Sequence, residues 1–135
     1  MGRSIADLYI DQTVMDAVAE AKLMVPSISP ETLKDILDED NVLIIDVRDA
    51  SILAVTGKVK GALNVSRSML EFWADDSTPF YDRVFSKDKT IVLYCSSGGQ
   101  SALAGKALIQ LGYQDVRSLG AFQVWVEAGG QIEKP

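Results

Sequence analysis

The 135-residue chain contains no histidine. That absence excludes a histidine-dependent triad, an imidazole metal site and an imidazole proton shuttle. A single cysteine, Cys95, excludes an internal disulfide and a paired Cys-x-x-Cys redox motif. Zinc would have to be held by carboxylates alone, a rare arrangement, and no metal or other cofactor is expected. Positive charge is also scarce: 13 Lys and Arg stand against 19 Asp and Glu, for a net charge of -6. An acidic chain is a poor partner for nucleic acid or for an anionic membrane surface. The longest clear apolar run is Val42 to Ile45, far short of a membrane span. The first ten residues have no apolar core of a secretory signal, so the expected location is cytoplasmic. Whatever chemistry the chain performs must come from carboxylates, hydroxyls, Lys, Arg, backbone amides or Cys95.

What is present reads as one domain. Apolar residues make up 47% of the chain, enough for a packed core and too many for a disordered one. From Ile5 to Met24 they recur at helical spacing, with Val14, Val18 and Ala21 on one face beside Ile10 and Met15. This predicts an N-terminal amphipathic helix, closed by Pro26, that packs on the rest of the chain. Ser29 before Pro30 has the form of an N-cap with proline in the first helical position. The acidic run Asp38-Glu39-Asp40 suits a solvated turn.

Two short, branched apolar runs, Val42-Leu-Ile-Ile-Asp46 and Thr90-Ile-Val-Leu-Tyr-Cys95, fit buried strands of a parallel sheet. Residues 62–65 and 115–118 are weaker strand candidates. Helical stretches are predicted at 50–55, 69–74, 100–111 and 122–128, with Gly112 and Gly129-Gly130 as stops. Residues 75–82 read as a surface loop. Strands alternating with helices give an α/β sandwich, a mainly parallel central sheet with helices on both faces.

The chemistry concentrates after the second strong strand, in Tyr94-Cys95-Ser96-Ser97-Gly98-Gly99-Gln100-Ser101. Open α/β sheets bind ligands beyond the carboxyl ends of their strands, which is where Cys95 falls. Gly98 and Gly99 let successive N–H groups turn toward one point, and a helix N-terminus behind them adds positive potential. This cradle favours a thiolate, a nucleophile that needs no histidine. The turn lacks the Gly-Lys-Ser/Thr ending of a nucleotide phosphate loop.

Several ordered pieces make the chain resemble a rhodanese-type domain: Ile28-Ser29-Pro30 with Leu33, Ile45-Asp46-Val47-Arg48-Asp49, and the Gly57-Lys58-Val59-Lys60-Gly61-Ala62 segment. They continue through the Cys95 loop, Leu111-Gly112-Tyr113 and Leu119-Gly120-Ala121-Phe122 up to Trp125. The likeness covers about residue 27 to 135 and leaves 1–26 as an N-terminal helical extension. It implies a rhodanese-like sandwich and a sulfurtransferase that carries sulfane sulfur as a persulfide on Cys95. The donor is then thiosulfate or a persulfide, and the acceptor a thiol or cyanide; a cysteine desulfurase or another protein is a conceivable partner. The loop Ser96, Ser97, Gly98, Gly99, Gln100 and Ser101 would bind the sulfur substrate. Asp46 would support the loop, Arg48 would pair with a carboxylate, and Arg67, Lys58 or Lys60 are candidate compensating cations.

Departures from the resemblance bear on activity. Gln100 and Ser96 stand where such loops often carry arginine, the side chain that grips an oxyanion by two parallel bonds. Weak thiosulfate turnover is expected. The same substitutions argue against phosphatase or arsenate-reductase chemistry, and they give weight to an alternative, a catalytically weak binding module that docks a protein partner. Ala121 replaces a common second glycine.

Overall fold

The computed structural model describes residues 12–135. The two branched runs form the middle of the sheet, as strands β1 (Val42–Asp46) and β4 (Thr90–Cys95), paired in parallel from Val42 opposite Thr90 to Asp46 opposite Tyr94. Two short strands lie between them in the chain, β2 (Lys58–Val59) and β3 (Leu63–Asn64). Strand β5 (Asp115–Ala121) is longer than its sequence signal because the ladder continues past a register shift at Leu93/Tyr94 and brings Ala121 opposite Cys95. The four-stranded sheet runs in the order β3-β1-β4-β5, every neighbouring pair parallel.

Strand β4 is buried throughout and β1 from Leu43 on because both faces are covered, the physical reason they read as continuous apolar runs. Leu43, Ile45, Ile91, Leu93 and Cys95 point into one core with Phe85, Leu108 and Tyr113. Ile44, Val92 and Tyr94 point into the other with Leu33, Leu119, Phe122 and Trp125. The helices are α1 (Val14–Met24), α2 (Pro30–Ile36), α3 (Ala50–Thr56), α4 (Leu70–Ala74), α5 (Gly99–Gln110) and α6 (Phe122–Glu127), with a 3-10 turn at Arg67–Met69. Ser29 caps α2, its hydroxyl accepting the Thr32 N–H, with Pro30 at its first turn. A separate antiparallel pair joins β2 to β6 (Ile132–Glu133); two-residue strands carry too little pattern to be seen in sequence.

The N-terminal helix starts at Val14, where Thr13 and Asp16 form a reciprocal capping box. Ile10 and the rest of 5–11 lie outside the described residues. Val18 and Ala21 are buried as expected, but Val14 and Met15 are 68% and 66% exposed. The seated residues are Val18, Ala21 and Val25, packed against α5, while the first turn of α1 with Val14 and Met15 stays outside the contact. Contact is close at Gly105, where a Cβ would lie 2.8 Å from both Val25 methyls. After α1 the chain runs along the open edge of β5: Ser118 N–H donates to Pro26 O at 2.8 Å and Ile28 N–H to Ser118 O at 3.0 Å.

Candidate active site

Strand β4 delivers Cys95 to the carboxyl end of the sheet, and α5 begins four residues later. Gly98 makes the tight passage possible. Its φ of +96° lies in the left-handed region that side chains disfavour, and it serves as the N-cap of α5. The turn folds two amides back on the sulfur. Gly98 N–H donates to Cys95 Sγ at 2.9 Å and Ser101 N–H at 3.3 Å. Ser101, fully buried, adds its hydroxyl at 3.5 Å from the sulfur and donates to Gly98 O at 3.1 Å. Cys95 is 2% exposed, so these donors act on a sulfur shielded from water, where they are strongest. With the N-terminus of α5 behind them, they complement a negative sulfur.

Of the six loop residues singled out in sequence, Gly98 and Ser101 reach the sulfur. Ser96, Ser97 and Gln100 are exposed, and line with Cys95 a cavity of about 420 Å³ whose far wall includes Asp49, Ile52 and Ser68. Gly99 opens α5 and abuts Val18. The cations on the cavity wall are Arg48 and Arg67. Lys58 is turned away, paired with Glu133 at 2.9 Å and donating to Ala62 O. Ser68 carries no sequence signal of its own and Asp49 only its place in the segment 45–49; they arrive because the 3-10 turn and the start of α3 both border the loop.

Asp46 and Arg48 form a buried, two-pronged ion pair, with Arg48 Nε at 3.0 Å from Oδ1 and Nη2 at 2.7 Å from Oδ2. Arg48 also donates to Thr56 Oγ1 and Gly57 O, and its guanidinium lies 4.3 Å over the Phe122 ring. Burial works against its charge, but the bonds and charge of Asp46 prevail and hold the guanidinium above its ordinary value. Both side chains are thus engaged in tying β1 to the end of α3, with the Asp46 carboxylate on Arg48. Beneath them, burial first and then Asp46 push the Tyr94 phenol up, and its oxygen accepts the Val59 N–H at 3.0 Å.

A second cavity, about 370 Å³, opens on the opposite side of the loop, between α1, the loop and β5. Its polar lining includes Lys22, Ser27, Ser97 and Ser118, and Ala121 forms part of its floor. No helix among the described residues is long and apolar enough to cross a membrane.

Comparison with known proteins identifies the family of the fold. The rhodanese-like domain family matches residues 29–128. A sulfurtransferase from Allochromatium vinosum is 32% identical over 114 residues, covering 83% of this chain and 98% of its own. Among solved structures, a Rhodopseudomonas palustris protein of unknown function, described as a possible tyrosine phosphatase, is 32% identical with a TM-score of 0.84. The match covers 98% of this chain and 99% of that one. A polysulfide-sulfur transferase homodimer from Wolinella succinogenes is 26% identical with a TM-score of 0.72, covering 98% and 95%. By the family match across most of its length, and by its likeness to a sulfurtransferase covered almost end to end, the chain belongs to the rhodanese-like domain family.

Proposed function

We propose that this protein carries sulfane sulfur as a persulfide on Cys95. The observation that carries the reading is the pair of N–H donors, from Gly98 and Ser101, aimed at the cysteine sulfur. In the loading step the Cys95 thiolate attacks the outer sulfur of a donor. The Sγ–S bond forms, the donor's S–S bond breaks, and its leaving group, sulfite from thiosulfate or a thiolate from a persulfide, departs with the electron pair. In the second step an acceptor thiolate, or cyanide, attacks the outer sulfur and Cys95 leaves as the thiolate. The chain has no second cysteine, so the acceptor is another molecule.

The neutral Gln100 and Ser96 leave the oxyanion of thiosulfate without a loop cation. Arg48 is buried in its pair with Asp46, whereas Arg67 is partly exposed in a surface pair with Glu71, so Arg67 is the cation on the cavity wall better able to meet an anionic donor. We therefore favour a persulfide, small or presented by a desulfurase, over thiosulfate as the better donor. An unpaired thiol of this kind suits the reducing cytoplasm.

Intact-mass spectrometry after exposure to thiosulfate, and separately to a desulfurase with cysteine, tests the reading. The expected result is a gain of one sulfur atom, removed by reductant and absent in Cys95→Ser. An unchanged mass with both donors, in folded protein with a free thiol, supports a binding module instead.

A further inference from the structure

Ser118 lies on β5 beside the loop, and the sulfur chemistry above makes no use of it. Its hydroxyl is 3.0 Å from Ser101 Oγ and accepts the Gly120 N–H at 3.1 Å. The direction of the first contact follows by elimination. A hydroxyl has one proton. That of Ser101 is given to Gly98 O, and Ser101 Oγ accepts from the Cys95 thiol. Ser118 is therefore the donor to Ser101. Gly120 N–H, Ser118 and Ser101 form a directed chain that ends at Gly98 O, with the neutral thiol donating into Ser101 from the side.

Ionisation of the thiol changes the end of that chain. The S–H proton passes to water in the cavity, and the sulfur turns from donor to acceptor. The Ser101 hydroxyl then gains more by rotating from Gly98 O to the negative sulfur, where it becomes a third donor beside the two amides. Ser118 still donates to Ser101 Oγ, and a hydroxyl that accepts one bond is a stronger donor in the next. Ser118 is held in place, because its backbone N–H and C=O are both bonded, to Pro26 O and to the Ile28 N–H.

We infer that Ser118 is a positioning residue for the sulfur, acting through Ser101 to favour the anionic form of Cys95. The inference rests on Cys95 being the sulfur-bearing residue. Charged groups face the loop from each side: Arg48 with Asp46, Asp49, and Arg67 with Glu71 at the front, and Lys22 at the back. On α5, Lys106 is turned to Glu20. Exchanging Ser118 for a neutral side chain alters none of these charges.

The test is the pH dependence of Cys95 alkylation by iodoacetamide in the full chain, with Ser118→Thr and Ser118→Val compared. These side chains share one shape, suit a strand, and differ in the hydroxyl alone; the extra methyl group has the second cavity to occupy. The expected result is an alkylation midpoint about half a pH unit higher in S118V than in S118T, with S118T close to the native chain. Equal midpoints in S118V and S118T overturn the inference. No sulfur donor is present, so failure of sulfur loading in the mass experiment leaves this result readable.

Discussion

At the scale of single residues, Gln100 decides how the cavity meets an anion. It is exposed on the first turn of α5, at the rim of the Cys95 cavity, and brings no charge. Gln100→Arg adds a charge-assisted grip there, and thiosulfate turnover is expected to rise about tenfold, read as kcat/KM with cyanide as acceptor. Arg67→Ala should raise KM for thiosulfate by a similar factor while leaving alkylation of Cys95 intact. The buried pair behaves differently. Asp46→Asn leaves the Arg48 guanidinium without its countercharge and is expected to cost about 3 kcal/mol or more in denaturant unfolding. Cys95 and Gly98 were legible in sequence because small residues between a strand and a helix announce a turn, whereas the missing loop arginines were legible only against the family resemblance. The role of Ser101 was visible only as loop membership. Ser118 was not legible at all: 17 positions separate it from Ser101, and only the β4/β5 register brings the hydroxyls together.

At the scale of elements, the seat of α1 on α5 depends on a missing side chain. Gly105→Ala places a methyl group against Val25 and is expected to cost about 1–3 kcal/mol by overpacking. Val25→Ala removes the obstruction, so the double variant should lose less stability than the two single losses summed, a non-additivity that denaturant titration of all four chains reads directly. The strongly patterned elements, β1, β4 and α5, were placed by sequence to within a residue or two, since burial on both faces or a long helical period leaves a clear trace. Strands β2 and β6 were missed, because two residues show no alternation. The seated face of α1 was only partly read: periodicity gives the stripe, but the groove on α5 takes Val18 and Ala21 from it, adds Val25 just beyond it, and leaves Val14 and Met15 exposed.

At the scale of the whole molecule, distant segments are locked together by buried polar bonds as well as by the cores. Tyr113, buried after α5, donates its hydroxyl to Ala74 O at 2.6 Å, and burial pushes its phenol up to about 12. A tyrosine raised in the folded state contributes stability that is complete below the unfolded value of about 10 and is lost as pH rises through the folded one. Unfolding midpoints should therefore fall above about pH 10, and Tyr113→Phe should flatten that part of the decline while costing about 1 kcal/mol at neutral pH. The clasp of residues 26–28 on Ser118 has a consequence in time. The first part of the domain to leave the ribosome is also what seals the edge of β5, some 90 residues later in the chain. Until β5 emerges, α1 and its clasp have no seat; until they dock, β5 presents an unpaired strand edge. A contact that closes so long a loop forms late and slowly. The nascent chain thus passes through a stage in which the 26–28 segment and β5 both exist and neither is yet paired with the other.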